Sequence, residues 1–200
     1  MATAGRLKVT PREYLQRERA AEERHQLVDG EVFAMAGASR AHNLIGLNLG
    51  SELRAQLKGR PCEVYATDMR VAVEARGLYT YPDVVVVCGE PRFLDAERDT
   101  LLNPTVLIEV LSPSSERFDR GRKFAQYRSL PSLREYVLVA QDECRVERYT
   151  RRGEEWVLTE FTRAEDGLNL ESIGCAVPLR EIYARVEFRA EEPSTGQEGA

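Results

Sequence analysis

The sequence predicts an α/β (α+β) fold, and three observations predict it. Short apolar runs rich in β-branched residues, Val84-Val85-Val86-Val87 and Val106-Leu107-Ile108-Glu109-Val110, have strand length and are punctuated by prolines or turn residues. Apolar residues recur at helical spacing from Ala41 through Leu44, Ile45, Leu49 and Leu53 to Leu57. Asp29-Gly30 parts two strand-like runs with the dipeptide that favours a two-residue hairpin turn. With 200 residues and 42% hydrophobic content, the chain is expected to form one domain over 1–189 with a sizeable core.

Along the chain, Thr10-Pro11-Arg12-Glu13 reads as the start of a helix: an N-cap, a proline at the first helical position and a glutamate that completes a capping box. A hairpin over 24–28 and 31–35 follows, with His25 and Glu31 at exposed strand ends. Ser39 caps the long helix, and His42 falls in its first turn, where the helix dipole favours a neutral ring that can bond or act as a base. It reads equally well as a histidine that packs or caps. Residues 62–66 and 69–73 are expected as strands of an antiparallel meander, turning at Arg76-Gly77 into the valine run, and 89–103 as a surface loop. After Pro113, Asp119 is expected to cap a second helix carrying Lys123, Phe124, Tyr127 and Leu130. A strand at 135–140, a hairpin around Arg152-Gly153, a terminal helix at 178–183 and a disordered tail over 190–200 complete the prediction.

Glu109 stands out chemically. On an apolar strand it shares a face with Leu107 and Leu111, and an ionised carboxylate there is costly unless a cation, a metal or several donors hold it. Asp83 enters the neighbouring valine run. Alone it reads as a turn residue, but on a strand beside Glu109 the two carboxylates can converge on one hard divalent cation.

Composition narrows the function classes. The net charge of -5 argues against a protein that coats itself with nucleic acid, whereas a local basic run, Arg117, Arg120, Arg122, Lys123 and Arg128, follows the Glu109 strand. No apolar stretch reaches the ~18 residues of a membrane span, and the start lacks a signal-peptide core, so a soluble, cytoplasmic protein without a membrane partner is expected. Cys62, Cys88, Cys144 and Cys175 are widely spaced and are expected as reduced packing thiols.

Asp83, Glu109 and Lys123 together resemble the PD-(D/E)XK nuclease superfamily and, within it, a bacterial family of putative restriction endonucleases. The local matches are 27–31, Ala36-Gly37-Ala38-Ser39 leading to His42, Pro82-Asp83, 109–113, and Asp119 through Lys123 to Tyr127. The resemblance implies a restriction-endonuclease-like mixed sheet flanked by helices, with Mg²⁺ or Mn²⁺ held by Asp83, Glu109 and the Val110 carbonyl, and DNA as substrate. Lys123 would be the catalytic amine, with His42 and Glu31 as helpers. The superfamily places its lysine two residues after the second acid, where this chain has Leu111. The amine must therefore come from Lys123 on a helix that returns across the sheet. A homodimer suits an enzyme that cuts both strands of a duplex. The competing readings are a catalytically silent binding or assembly module and a metal-dependent hydrolase of a small phosphoester.

Overall fold

The computed structural model describes residues 8–66 and 68–188, so the tail expected to be disordered lies outside the described residues. Helix α1 (Pro11–Glu18) opens on the expected capping box: the Thr10 hydroxyl accepts the Glu13 amide at 3.3 Å, and the Glu13 carboxylate accepts the Thr10 amide at 2.9 Å. Strands β1 (His25–Val28) and β2 (Glu31–Ala34) form the hairpin. Its turn residues Asp29 and Gly30 have φ of 51° and 86°, the left-handed pair that a type I′ turn requires. Helix α2 (Arg40–Gln56) starts at Ser39, whose hydroxyl accepts the His42 amide at 3.0 Å.

The strands β3 (Cys62–Ala66), β4 (Arg70–Val73), β5 (Leu78–Thr80), β6 (Val84–Cys88), β7 (Thr100–Leu101) and β8 (Val106–Val110) follow. A helical passage comes next, made of α3 (Glu116–Phe118), a π-helical turn (Asp119–Lys123) and α4 (Phe124–Tyr127). Strand β9 (Glu135–Val139), the hairpin β10 (Val146–Arg152) and β11 (Glu155–Phe161), the pair β12 (Gly167–Leu170) and β13 (Cys175–Pro178), and helix α5 (Leu179–Ile182) end the described chain.

The strands build a six-stranded sheet ordered β11-β10-β9-β8-β6-β3, a five-stranded sheet ordered β2-β1-β5-β4-β7 and the small β12-β13 pair. Both larger sheets are mixed: β8 runs parallel to β9, and β4 to β7, while the other pairs are antiparallel. Alternation along β8 divides the interior. Val106, Ile108 and Val110 pack with the α2 stripe Ile45, Leu49 and Leu53, while Leu107 and Leu111 face Tyr127, Leu133, Tyr136 and the five-stranded sheet. Each fully buried Leu or Ile of that stripe contributes about 1.5–3 kcal/mol of gross stabilisation. Among the described residues no helix is long and apolar enough to cross a membrane.

Four local expectations are corrected. The antiparallel meander over 62–73 is instead split between sheets: β3, half exposed, becomes an edge strand on β6, while β4, buried at every position, lies between β5 and β7. The surface loop 89–103 contributes the short strand β7. Asp119 is not an N-cap, because the chain is already helical before it and its amide donates to the Ser115 carbonyl at 2.9 Å. Cys62 and Cys88 are not reduced thiols but a disulfide joining directly opposed residues of β3 and β6; Cys144 and Cys175 are free. The bond closes a loop of sequence separation 26 at the sheet edge. Cys62→Ser/Cys88→Ser is therefore expected to lower stability by about 3 kcal/mol relative to the oxidised parent. Urea unfolding with and without reductant checks it, and a parent indifferent to reductant would refute it.

Candidate active site

The site forms at the carboxyl end of β8, where β6 begins antiparallel to it. Val84 is paired with Ile108, so extending that register by one residue sets Asp83 opposite Glu109, on the same face of the sheet. One Asp83 oxygen accepts the Val110 amide at 2.6 Å; the other meets His42 Nε2 at 2.7 Å. An N–H and C=O of one extended residue point to the same strand edge, so the Val110 carbonyl also lies on the Asp83 side, beyond the last β6–β8 pair. His42 reaches Asp83 because the capped first turn of α2 overhangs this end of the sheet.

The helical passage returns across the same face. Its π-helical turn, a feature common at functional sites, brings Lys123 back to the acids, and Lys123 Nζ lies 2.7 Å from Glu109 Oε1 and 3.1 Å from Asp119 Oδ1. Glu109, Asp119 and Lys123 are 4%, 2% and 5% exposed, which makes this a buried charge cluster rather than a surface pair. The Tyr127 hydroxyl, one turn beyond Lys123, donates to Glu109 Oε1 at 3.0 Å, and the Tyr136 hydroxyl donates to the Asp119 carbonyl at 3.1 Å.

Burial pushes the Glu109 carboxyl up to about 8, and the charges of Asp119 and Asp83 add to this, while Lys123 pulls the other way. Burial acts to lower Lys123, but Glu109 and Asp119 outweigh it and hold the ammonium above its ordinary range. The lysine therefore keeps its charge, and Glu109 is the group whose charge depends on what else enters the site. Tyr127 is raised well above its ordinary value by burial and by Glu109, so it remains a hydrogen-bond donor.

A cavity of about 710 Å³ opens onto these groups, within the range of small-molecule sites. Asp83, Glu109, Val110, Lys123 and His42 all line it, as the sequence anticipates for one site. Glu31 does not: it is exposed at the start of β2, paired with Val28. Sequence reasoning missed Gln141, which lines the cavity, bonds to Ser39 and donates to the Leu111 carbonyl at 2.8 Å. The available signal was its place just after the strand parallel to β8, since parallel neighbours end at one edge and ligands favour that edge. Asp119, read as a cap, belongs to the cluster instead. His25, read as exposed scenery, bonds through Nδ1 to the buried Glu18 carboxylate at 3.1 Å, away from the acids.

The donor set suits an open site for a hard cation better than a closed cage. Among the described residues no group of three or more His, Cys, Asp or Glu side chains is placed to hold a metal. Mg²⁺, however, is commonly bound through only one or two carboxylates and keeps several waters. Glu109 Oε2 has no hydrogen-bond partner among the described residues, and each Asp83 oxygen keeps a lone pair beyond the one already used.

The comparisons with known proteins follow the same lines. A crystal structure of a putative nuclease belonging to DUF820 from Anabaena variabilis shares the fold at a TM-score of 0.71 and 17% identity, over 88% of this chain and 97% of that one. Two Synechocystis relatives, uncharacterized protein sll1609 and uncharacterized protein slr1290, are 41% and 35% identical over 76% and 90% of this chain and 87% and 94% of their own lengths. The model of one family, Uma2, described as putative restriction endonuclease, matches residues 11–179, nearly the whole described fold, and the chain belongs to that family.

Proposed function

We propose that the protein is a metal-dependent endonuclease that hydrolyses phosphodiester bonds of DNA at the Asp83–Glu109–Lys123 site. The observation that supports it best is the 2.7 Å meeting of Lys123 with Glu109, because it supplies from the helix the amine that Leu111 cannot supply from the strand. Asp83, Glu109 and the Val110 carbonyl would hold Mg²⁺ or Mn²⁺. The chemistry such a cation supplies when bound is Lewis-acid polarisation of a phosphoryl oxygen.

The remaining work falls to the chain's own side chains. Lys123 presents its ammonium at the cavity wall, where it orients the attacking water and stabilises the negative charge that grows on the phosphoryl oxygens. Asp119 and Tyr127 fix the positions of Lys123 and Glu109, so the cation is pre-organised rather than recruited. His42 and the Val110 amide orient the two oxygens of Asp83. Glu31, outside the cavity, is given no role.

The proposal includes a homodimer, since two sites related by a two-fold address both strands of a duplex. Strand β2, at the edge of its sheet among the described residues and with Val32 and Phe33 exposed, is compatible with it. Light scattering that shows only monomer at tens of micromolar would remove this part.

One assay tests the reading: supercoiled DNA, single-stranded DNA and RNA are incubated with the protein under Mg²⁺, Mn²⁺ or EDTA, beside Glu109→Ala. The expected result is nicking or linearisation of DNA with either cation, and none with EDTA or Glu109→Ala. Equal cleavage by parent and Glu109→Ala would mark a contaminant and sink the proposal. Metal binding without cleavage of any polynucleotide would favour a binding module or a hydrolase of small phosphoesters.

A further inference from the structure

A second, smaller cavity of about 360 Å³ lies at the other end of the helical passage, lined by Arg76, Arg128, Ser129, Arg151, Glu154 and Trp156 among others. The Arg151 guanidinium stacks over the Trp156 ring, 4.8 Å from its centroid, and donates to the carbonyls of Arg128 and Leu130 where α4 ends. It therefore forms the floor of the cavity, while Arg76 and Arg128 stand exposed at its walls.

Among the described residues Arg76, Arg128, Arg134 and Arg151 have no ion-pair partner. Eleven other described arginines form no ion pair either, but these four are gathered around one hairpin and the helix end beside it. Arg151 Nε is buried with no hydrogen-bond partner among the described residues. Burial first, and then the nearby Arg134, push the Arg151 guanidinium below its ordinary range, so an anion beside it would favour its charged form. In a chain of net charge -5, with Glu154 the only carboxylate in the wall, this concentration runs against the overall balance.

The place of the pocket links it to the larger cavity. Arg122, which lines the larger cavity, pairs with Asp29 in the β1–β2 turn, and the Asp29 amide donates at 3.2 Å to the carbonyl of Gly77, the residue after Arg76. Lys123 and Arg128 stand at opposite ends of one helical segment, so their Cα atoms are roughly 7 Å apart along its axis at about 1.5 Å per residue.

We infer that this arginine pocket is a phosphate-binding subsite that holds the nucleic-acid backbone away from the phosphate that is cleaved. Arg76 and Arg128 make the contacts and Arg151 sets the floor. The carrier of the phosphate rests on the nuclease reading; the anion chemistry of the pocket does not.

The test measures binding of a short labelled duplex by fluorescence anisotropy over a salt series, in EDTA so that nothing is cut. Arg76→Ala/Arg128→Ala is compared with the parent and with Arg163→Ala/Arg180→Ala, which removes the same charge from residues lining neither cavity. Two lost phosphate contacts should flatten the slope of log K against log salt by about 1.8, so that from roughly 50 to 200 mM salt the parent loses about twelve-fold more affinity than the variant. Arg76→Ala alone should flatten it by about 0.9, which guards against a packing effect of Arg128 on Phe124. The control pair should keep the parent's slope.

Identical slopes in parent and double variant would overturn the subsite, whether or not the parent cuts DNA. Inorganic phosphate titrated by calorimetry separates the two readings. A parent that binds phosphate through these arginines but binds no polynucleotide keeps the anion pocket and overturns the nuclease assignment. A parent that binds neither overturns both.

Discussion

Lys123→Met is expected to lower DNA cleavage by a factor of at least ~100, the scale of one lost electrostatic stabiliser, while Mn²⁺ affinity stays close to the parent's. The ammonium is the only cation within salt-bridge distance of Glu109 among the described residues. It would act on charge that grows on the phosphoryl oxygens, which is a transition-state effect more than a ground-state one. The same substitution should also destabilise the protein. Glu109 and Asp119 would be left buried without their counter-charge, and breaking a buried pair costs about 3–5 kcal/mol. Uptake of a proton by Glu109, already displaced upward to about 8, offsets part of that cost near neutral pH. Single-turnover cleavage measured well below the melting temperature of the variant separates the two effects. Cleavage by folded Lys123→Met at the parent's rate would reduce Lys123 to a structural counter-ion. Asp119→Ala belongs to the same test: as a buried partner of Lys123 rather than a cap, it should cost more than the ~1 kcal/mol expected of an N-cap.

Asp83→Asn/Glu109→Gln should lower Mn²⁺ affinity by at least ~100-fold, beyond the 10–100-fold typical of losing an outer partner of a metal ligand, and remove cleavage with it. The fold should survive. Asn keeps an oxygen for the Val110 amide, and Gln keeps one for the Tyr127 hydroxyl, while Lys123 retains Asp119. Titration calorimetry with Mn²⁺ on the full chain is the direct measurement. Parent-like Mn²⁺ binding in the double variant would remove the carboxylates as ligands. This result and the Lys123 result divide the site's labour, since one set of changes should abolish metal binding and the other spare it.

Much of the site was legible in short stretches of sequence because the physics there is local. A carboxylate within Val106–Val110 can be placed on a buried strand, and on the face of Leu107 and Leu111, from side-chain alternation alone. Asp29-Gly30 implies its turn through the left-handed backbone it tolerates, and Thr10 and Ser39 imply helix starts through the amides they accept. The fold class followed from these elements together with the resemblance, and the comparisons agree with it.

What only the tertiary structure decided are the meetings between segments far apart in sequence. The division of β3 and β4 between two sheets, and the disulfide between Cys62 and Cys88, depend on which strand becomes an edge, and periodicity is silent on that. The change of Asp119 from expected cap to buried partner depends on the helix starting one turn earlier than its apolar spacing suggests. Gln141 and the arginine pocket arise where strand ends, helix ends and turns converge, which no spacing along the chain records. The residue types and their faces are set by nearest-neighbour geometry, so the sequence alone determined them. Partnership and burial are set by how sheets and helices stack, and only the fold decided those.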